Sequence, residues 1–248
     1  MENIEEWAIQ TPIRFPWKYI DFDFEGRSFR YVRNSNKYAD LLRTHAGDTS
    51  DEREKSFRSA SRMMSWMSWS LDAPVYWEIG GGYPSPTPVI AIKSKRFCVR
   101  ARAVYQKNLI HGSFNLPGVI GDVAWKALAL YREGRTATSS IHGIVSYAKI
   151  IELAFRKNMP RRKWLSQHYG QAIALESPRE VASLGSTAEI IKDRLRNAVA
   201  HPRWDEDNIK DYIAAQISKR IYRRLAEMVI RSVFRVGYGK TIKEKRFP

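Results

Sequence analysis

The chain has 248 residues, 44% of them hydrophobic, which is enough for one large domain or two modest ones with a closed core and too apolar for a disordered polypeptide. Its 42 Lys and Arg against 26 Asp and Glu leave a formal charge of +16 and a pI near 10.0. A field of that sign favours polyanions, nucleic acid first and anionic membrane second, unless the surface is simply basic throughout.

In chain order, the start MENIEEWAIQ is acidic and amphipathic rather than basic then apolar, and no run of about 18 uncharged apolar residues follows anywhere. A non-secreted, cytoplasmic protein without a membrane span is expected. YIDFDF and RSFRYV are aromatic, strand-like runs joined at Glu25-Gly26, a hairpin-length connection. From Thr49 to Trp69 the period becomes helical behind the polar start TSDERE, with Phe57, Ala60, Met64 and Met67 turned inward. Trp66 and Trp69 read as core, or as a stacking platform for bases if partly exposed. PVYWEIGGGYPSPTP is a short strand running into glycine and proline loop chemistry; IGGGYP lacks the lysine and hydroxyl residue of a phosphate-binding loop and reads as a turn.

PVIAI and RFCVRARAVY follow as strands. In the second, Phe97, Val99, Ala101, Ala103 and Tyr105 alternate with Cys98, Arg100 and Arg102, so one face is apolar and the other mostly basic. That basic face suits either a phosphate backbone or solvent. Cys98, the single cysteine, can form neither an internal disulfide nor a thiolate zinc site, which fits a reducing compartment. The segment lies in an acid-free gap between Glu78 and Asp122; a second gap, between Glu152 and Glu176, holds Arg156, Lys157, Arg161, Arg162 and Lys163. Both gaps read as nucleic-acid-binding surface.

From about Gly121 the pattern is helical. DVAWKALALYREG reads as a helix capped by Asp122 and stopped by Gly134. SSIHGIVSYAKIIELAFRKN is longer, with Ile144, Tyr147, Ile151, Leu153 and Phe155 inward, and RRKWLSQHYGQAIAL is a weaker helix. Ser186 with Glu189 forms a capping box for the next one. A last helix spans about Glu206 to Arg235, with Ile209, Ile213, Ile217, Ile221, Leu225 and Met228 at steps of three or four. The expected layout is α+β: a β-rich module with one helix over 1–120, a helical domain over 121–237, and a basic, mobile tail over 238–248.

Near the end of the capped helix stands RNAVAHP, residues 196 to 202. At about 100° per residue, Ile191, Leu195 and Ala198 share the core side, Asp193 and Asn197 face away from it, and Arg196 and His201 lie on the flanks. Asn197 and His201 are four apart, so the amide can orient the imidazole. Pro202 disfavours helical geometry at His201 and places it at the helix end. The group either caps a helix end with Arg196 in solvent, or performs phosphodiester chemistry, the arginine steadying phosphate oxygens and the histidine moving protons. His45, His111, His142 and His168 show no metal-ligand spacing with each other or with carboxylates, so no metal or other cofactor is expected.

Arg196 followed by the polar Asn197 and then by His201 resembles the signature of the HEPN superfamily. The context is similar: a helical C-terminal unit, an upstream glutamate in an apolar run (Glu152 in KIIELAF), and a long helix after the motif. The resemblance covers roughly residues 121 to 237. It implies metal-independent RNA cleavage, with the ribose 2′-hydroxyl as nucleophile, Arg196, Asn197 and His201 as catalytic residues, and Glu152 and Asp193 in support. It also implies a homodimer that brings two motifs into one cleft, and a toxin or antiviral defence effector that a protein partner could regulate. The alternative is a non-catalytic nucleic-acid-binding subunit of a larger complex. A protein-interaction scaffold with incidental basic charge is a third reading.

Overall fold

Glu25 and Gly26 both adopt left-handed backbone, with φ of 51° and 73°, the geometry of a two-residue type I′ turn whose twist matches that of its flanking strands. The expected hairpin forms around it: Tyr19–Phe24 (β2) pairs antiparallel with Arg27–Val32 (β3). The side chain of Glu25 holds this turn in place by accepting from Ser59 Oγ (2.9 Å) and Arg62 (2.7 Å).

The computed structural model describes residues 4–11, 15, 17–33, 39–45, 47–80, 115–118, 120–182, 209–237 and 240–241. The fold is α+β, and the chain divides into two units, Met1–Val119 with Tyr238–Pro248, and Ile120–Gly237.

The first unit is built on an antiparallel five-stranded sheet in the order β2-β3-β4-β1-β5, completed by Ile4–Gln10 (β1), Asp40–His45 (β4) and Tyr76–Gly80 (β5). Pairing of Trp7 with Leu42, Leu42 with Tyr31, and Phe29 with Phe22 puts these side chains in one buried layer. Ser50–Ser70 (α1) packs on this layer. Thr49 and Glu52 close a capping box at its start. Ala60, Met63, Met64, Trp66, Met67 and Trp69 are buried. Phe57 departs from expectation: it is 41% exposed and rests its ring 5.4 Å from Trp77. The opposite sheet face carries a cross-strand charge ladder, in which Arg30 grips Asp21 through two nitrogens (2.6 and 2.9 Å) and Arg43 pairs with Glu6 (2.6 Å).

Two residues of the expected tail are paired: Lys240–Thr241 (β7) with Asn115–Leu116 (β6), in the sheet-containing unit. A two-strand pairing across so many residues leaves no local sequence signal.

The described part of the second unit is helical: Asp122–Thr136 (α2), Ser140–Ala154 (α3), Asn158–Ile173 (α4), Pro178–Ala182 (α5) and Ile209–Ser232 (α6). α6 is the central helix and packs on the other four. Ala215, Ile217, Ile221, Tyr222, Leu225, Ala226, Val229 and Ile230 form its buried side, whereas Ile213, on the same three-to-four spacing, is 46% exposed. α2 is preceded by Gly121 as N-cap, so Asp122 is its first helical residue. It also runs past Gly134, which is no stop signal: a Cβ there would lie 2.6 Å from the buried Tyr147 ring. The glycine is needed for the close approach of α2 and α3. Tyr131 Oη donates to Glu227 (2.8 Å), which also accepts from Arg223, linking α2 to α6. No helix among the described residues is long and apolar enough to cross a membrane.

Candidate nucleic-acid interface

α4 forms because Leu165, Tyr169 and Ala172 recur on one side and are buried. Pro160 falls in its first turn, where the backbone N–H groups have no intrahelical partner and a missing donor costs nothing. Lys157 precedes the helix as its N-cap and Arg156 stands just before it; both are exposed, as are Arg162 and Lys163. None of these four side chains makes an ion pair with the described residues. At about 100° per residue, Arg161, Arg162 and Lys163 point in three directions, so they do not act as a single basic face. Lys157 and Arg161 share a side with Trp164 and His168, while Arg162 lies on the far flank.

Two of the expected site residues come together. Arg161 donates to Glu152 of α3 (2.8 Å) and to Asn158 (3.3 Å). Glu152 is 58% exposed, so the pair is solvent-screened and contributes little to stability. Its effect is to hold the guanidinium near the start of α4.

Beside these cations lie three rings. The Phe155 centroid is 5.4 Å from Trp164, and Trp164 lies 4.3 Å from His168 with the two planes only 14° apart. His168 Nδ1 donates to the Trp164 carbonyl at 2.9 Å, which fixes the ring orientation and leaves Nε2 available as an acceptor when the imidazole is neutral. All three side chains are half-buried. Their grouping was not anticipated, although the i, i+4 spacing of Trp164 and His168 is a readable signal. The tryptophans weighed as a stacking platform cannot serve, because Trp66 and Trp69 are 1% and 2% exposed.

Arg196, Asn197, His201 and Asp193 lie outside the described residues, as do Arg100, Arg102 and the Ser186–Glu189 pair. His45 and His142 are exposed at a strand end and on a helix. Among the described residues no three His, Cys, Asp or Glu side chains gather as a metal site requires.

In the sheet-containing unit, an open pocket of about 450 Å³ is lined by Glu25, Gly26, Arg27, Lys55, Arg58 and Ser59. Its charges are largely engaged already: Arg27 donates to the Glu52 carbonyl (3.1 Å), Arg58 pairs with Glu54 (2.7 Å), and Glu25 holds Ser59 and Arg62. The exposed cations Arg162 and Lys163 of α4, which make no ion pair with the described residues, are the better anion contact. Comparison with protein-family models, curated proteins and solved structures gives no match to this chain.

Proposed function

We propose that the protein is a metal-independent endoribonuclease of HEPN type that cleaves by 2′-hydroxyl transesterification. The observation that carries the reading is RNAVAH at 196–201. It is supported by the helical character of the described part of Ile120–Gly237 and by the exposed cations around the start of α4. In this reading Arg196 steadies the phosphate, His201 moves protons between the 2′-hydroxyl and the leaving oxygen, and Asn197 orients the imidazole. One histidine per chain supplies one proton-transfer group. A homodimer with two motifs in one cleft supplies the second, and the products carry 2′,3′-cyclic phosphate and 5′-hydroxyl ends. A cytoplasmic toxin or antiviral effector, held in check by a protein partner, is the cellular role this chemistry fits.

The test is incubation of the purified protein with total RNA in EDTA, followed by analysis of RNA integrity and end chemistry. Cleavage should persist in EDTA, and His201→Ala should abolish it with a change in stability of about 0.5 kcal/mol or less. Arg196→Ala should lose turnover and some RNA affinity, and Arg196→Lys should rescue poorly because an ammonium lacks the guanidinium fork. A strand with 2′-deoxyribose at the cut position should bind and stay intact. Cleavage of the deoxy strand, parental activity of His201→Ala, or a strictly monomeric active protein in light scattering would each contradict the corresponding part of the proposal.

One observation favours a second reading, a non-catalytic nucleic-acid-binding subunit: the cations at Arg156, Lys157, Arg162 and Lys163 suit phosphate contact whether or not turnover follows. Binding without cleavage in the same assay selects it.

A further inference from the structure

We propose that Phe155, Trp164 and His168 form a base-stacking subsite for single-stranded nucleic acid, flanked by Lys157 and Arg161 as its phosphate contacts. The inference rests on the nucleic-acid-binding part of the proposed function and is independent of cleavage. Three observations carry it. The rings form a continuous ladder with centroid spacings of 5.4 and 4.3 Å, the last pair nearly parallel, and spacings of this size are those at which aromatic rings attract. The ladder is half-exposed rather than closed into the core. Finally, its surroundings are cationic: Arg156 and Lys157 are exposed and make no ion pair with the described residues, and Arg161 sits on the same side of α4, held at 2.8 Å by an exposed glutamate that a phosphate can displace.

An aromatic surface beside exposed cations matches a nucleotide strand, which presents a π-face and a phosphate at each step. A duplex matches poorly, because its bases are already stacked on one another and only its phosphates could reach this surface. The subsite is sequence-tolerant, since every base has a face to stack. His168 ends the ladder with its orientation fixed by the Nδ1 bond to the Trp164 carbonyl.

The experiment is a coupling measurement on the full chain. Fully 2′-O-methylated RNA strands, which transesterification cannot cut, are titrated by fluorescence anisotropy in two forms, one with bases and one abasic throughout. Wild-type protein should bind the base-bearing strand more tightly. Trp164→Ala should weaken that strand by about tenfold while leaving the abasic strand almost unchanged, and duplex binding should barely move. Trp164→Phe, which keeps a ring in the ladder, should restore most of the loss, and His168→Ala should show the same coupling at smaller size. Because His168 is half-exposed, its variant keeps the test decisive if Trp164→Ala fails to fold. Equal weakening of base-bearing and abasic strands by both variants overturns the subsite and leaves nucleic-acid binding standing. No binding of either strand at low salt overturns the nucleic-acid reading and the subsite together.

Discussion

Each unit buries a carboxylate beside two arginines, yet these two acids behave in opposite ways. In the sheet, Glu5 of β1 is 8% exposed, and its Oε2 has no hydrogen-bond partner among the described residues. Burial pushes its pKa above the ordinary 4.5, and the more distant charges of Arg27 and Arg53 offset only part of that effect. In the helical unit, the Glu176 side chain is 3% exposed after the end of α4. Burial again pushes upward, but Arg220 and then Arg224 of α6 reach it through direct hydrogen bonds and charge, and its pKa falls below 4.5. Burial alone therefore does not set the sign; direct contact with the guanidinium does.

Replacement of the paired acid should have the largest effect. Glu176→Gln leaves Arg220 and Arg224 facing a neutral amide and should destabilise the helical unit by about 2–3 kcal/mol, below the usual figure for a broken buried pair because Arg220 is 42% exposed. Native-state hydrogen exchange of α6 amides would read this. The pH dependence follows from the lowered pKa. The carboxylate contributes its stability above 4.5 and loses it as pH falls through the lower folded value. The acid limb of the wild-type curve should thus flatten in the variant, and an unchanged limb would break the contrast with Glu5.

Gly134→Ala tests the packing of the same unit. The added methyl would meet the ring of buried Tyr147, and overpacking of this kind costs about 1–3 kcal/mol. Gly143→Ala is the control: its clash is with the flexible end of Lys219, so thermal denaturation should show a smaller loss, chiefly from disturbing the Lys219 bond to the Ala137 carbonyl.

In the sheet, Asp21→Asn should cost only about 0.5 kcal/mol in urea denaturation, since Arg30 is half-exposed despite its two-pronged grip. The smallest effect is expected at Glu5, and it has the opposite sign. Glu5→Gln removes a buried charge that lacks a full set of partners and should gain roughly 0.5 kcal/mol at neutral pH. A raised folded pKa means that the protonated acid is accommodated below 4.5 and that stability is lost as pH rises through the folded value. The advantage of the amide should therefore grow across that window; a loss at neutral pH would show that Arg27 and Arg53 pair with Glu5 as tightly as Arg220 does with Glu176.

The contrast between the two acids is invisible in sequence. Glu176 lies 44 residues from Arg220, and Glu5 is one of three glutamates in an acidic start that reads as amphipathic surface. What could be read were features whose causes are local. The 19–32 hairpin followed from Glu25-Gly26, because so short a connection between aromatic strands calls for a tight turn with left-handed backbone, which glycine favours. The helix after Thr49 followed from its period and polar start, and the core stripe of α6 followed from Ile217, Ile221 and Leu225. Individual faces were less secure: Phe57 and Ile213 are half out although their spacing points inward.

At the candidate interface, the acid-free run of cations was legible, and its division among three directions followed once α4 was established. The Glu152–Arg161 pair and the Phe155–Trp164 contact were not, because they need the turn between α3 and α4 to bring two helices together. Sequence by itself determined the α+β class, the Glu25-Gly26 turn, and the residue types available for phosphate chemistry, since these depend on backbone preference and period within a few residues. Tertiary structure alone decided that Gly134 is a contact rather than a stop, that Lys240–Thr241 pairs with Asn115–Leu116, and which buried acid is satisfied. In each case the deciding atom comes from a segment distant in the chain, and its distance and orientation set the energy.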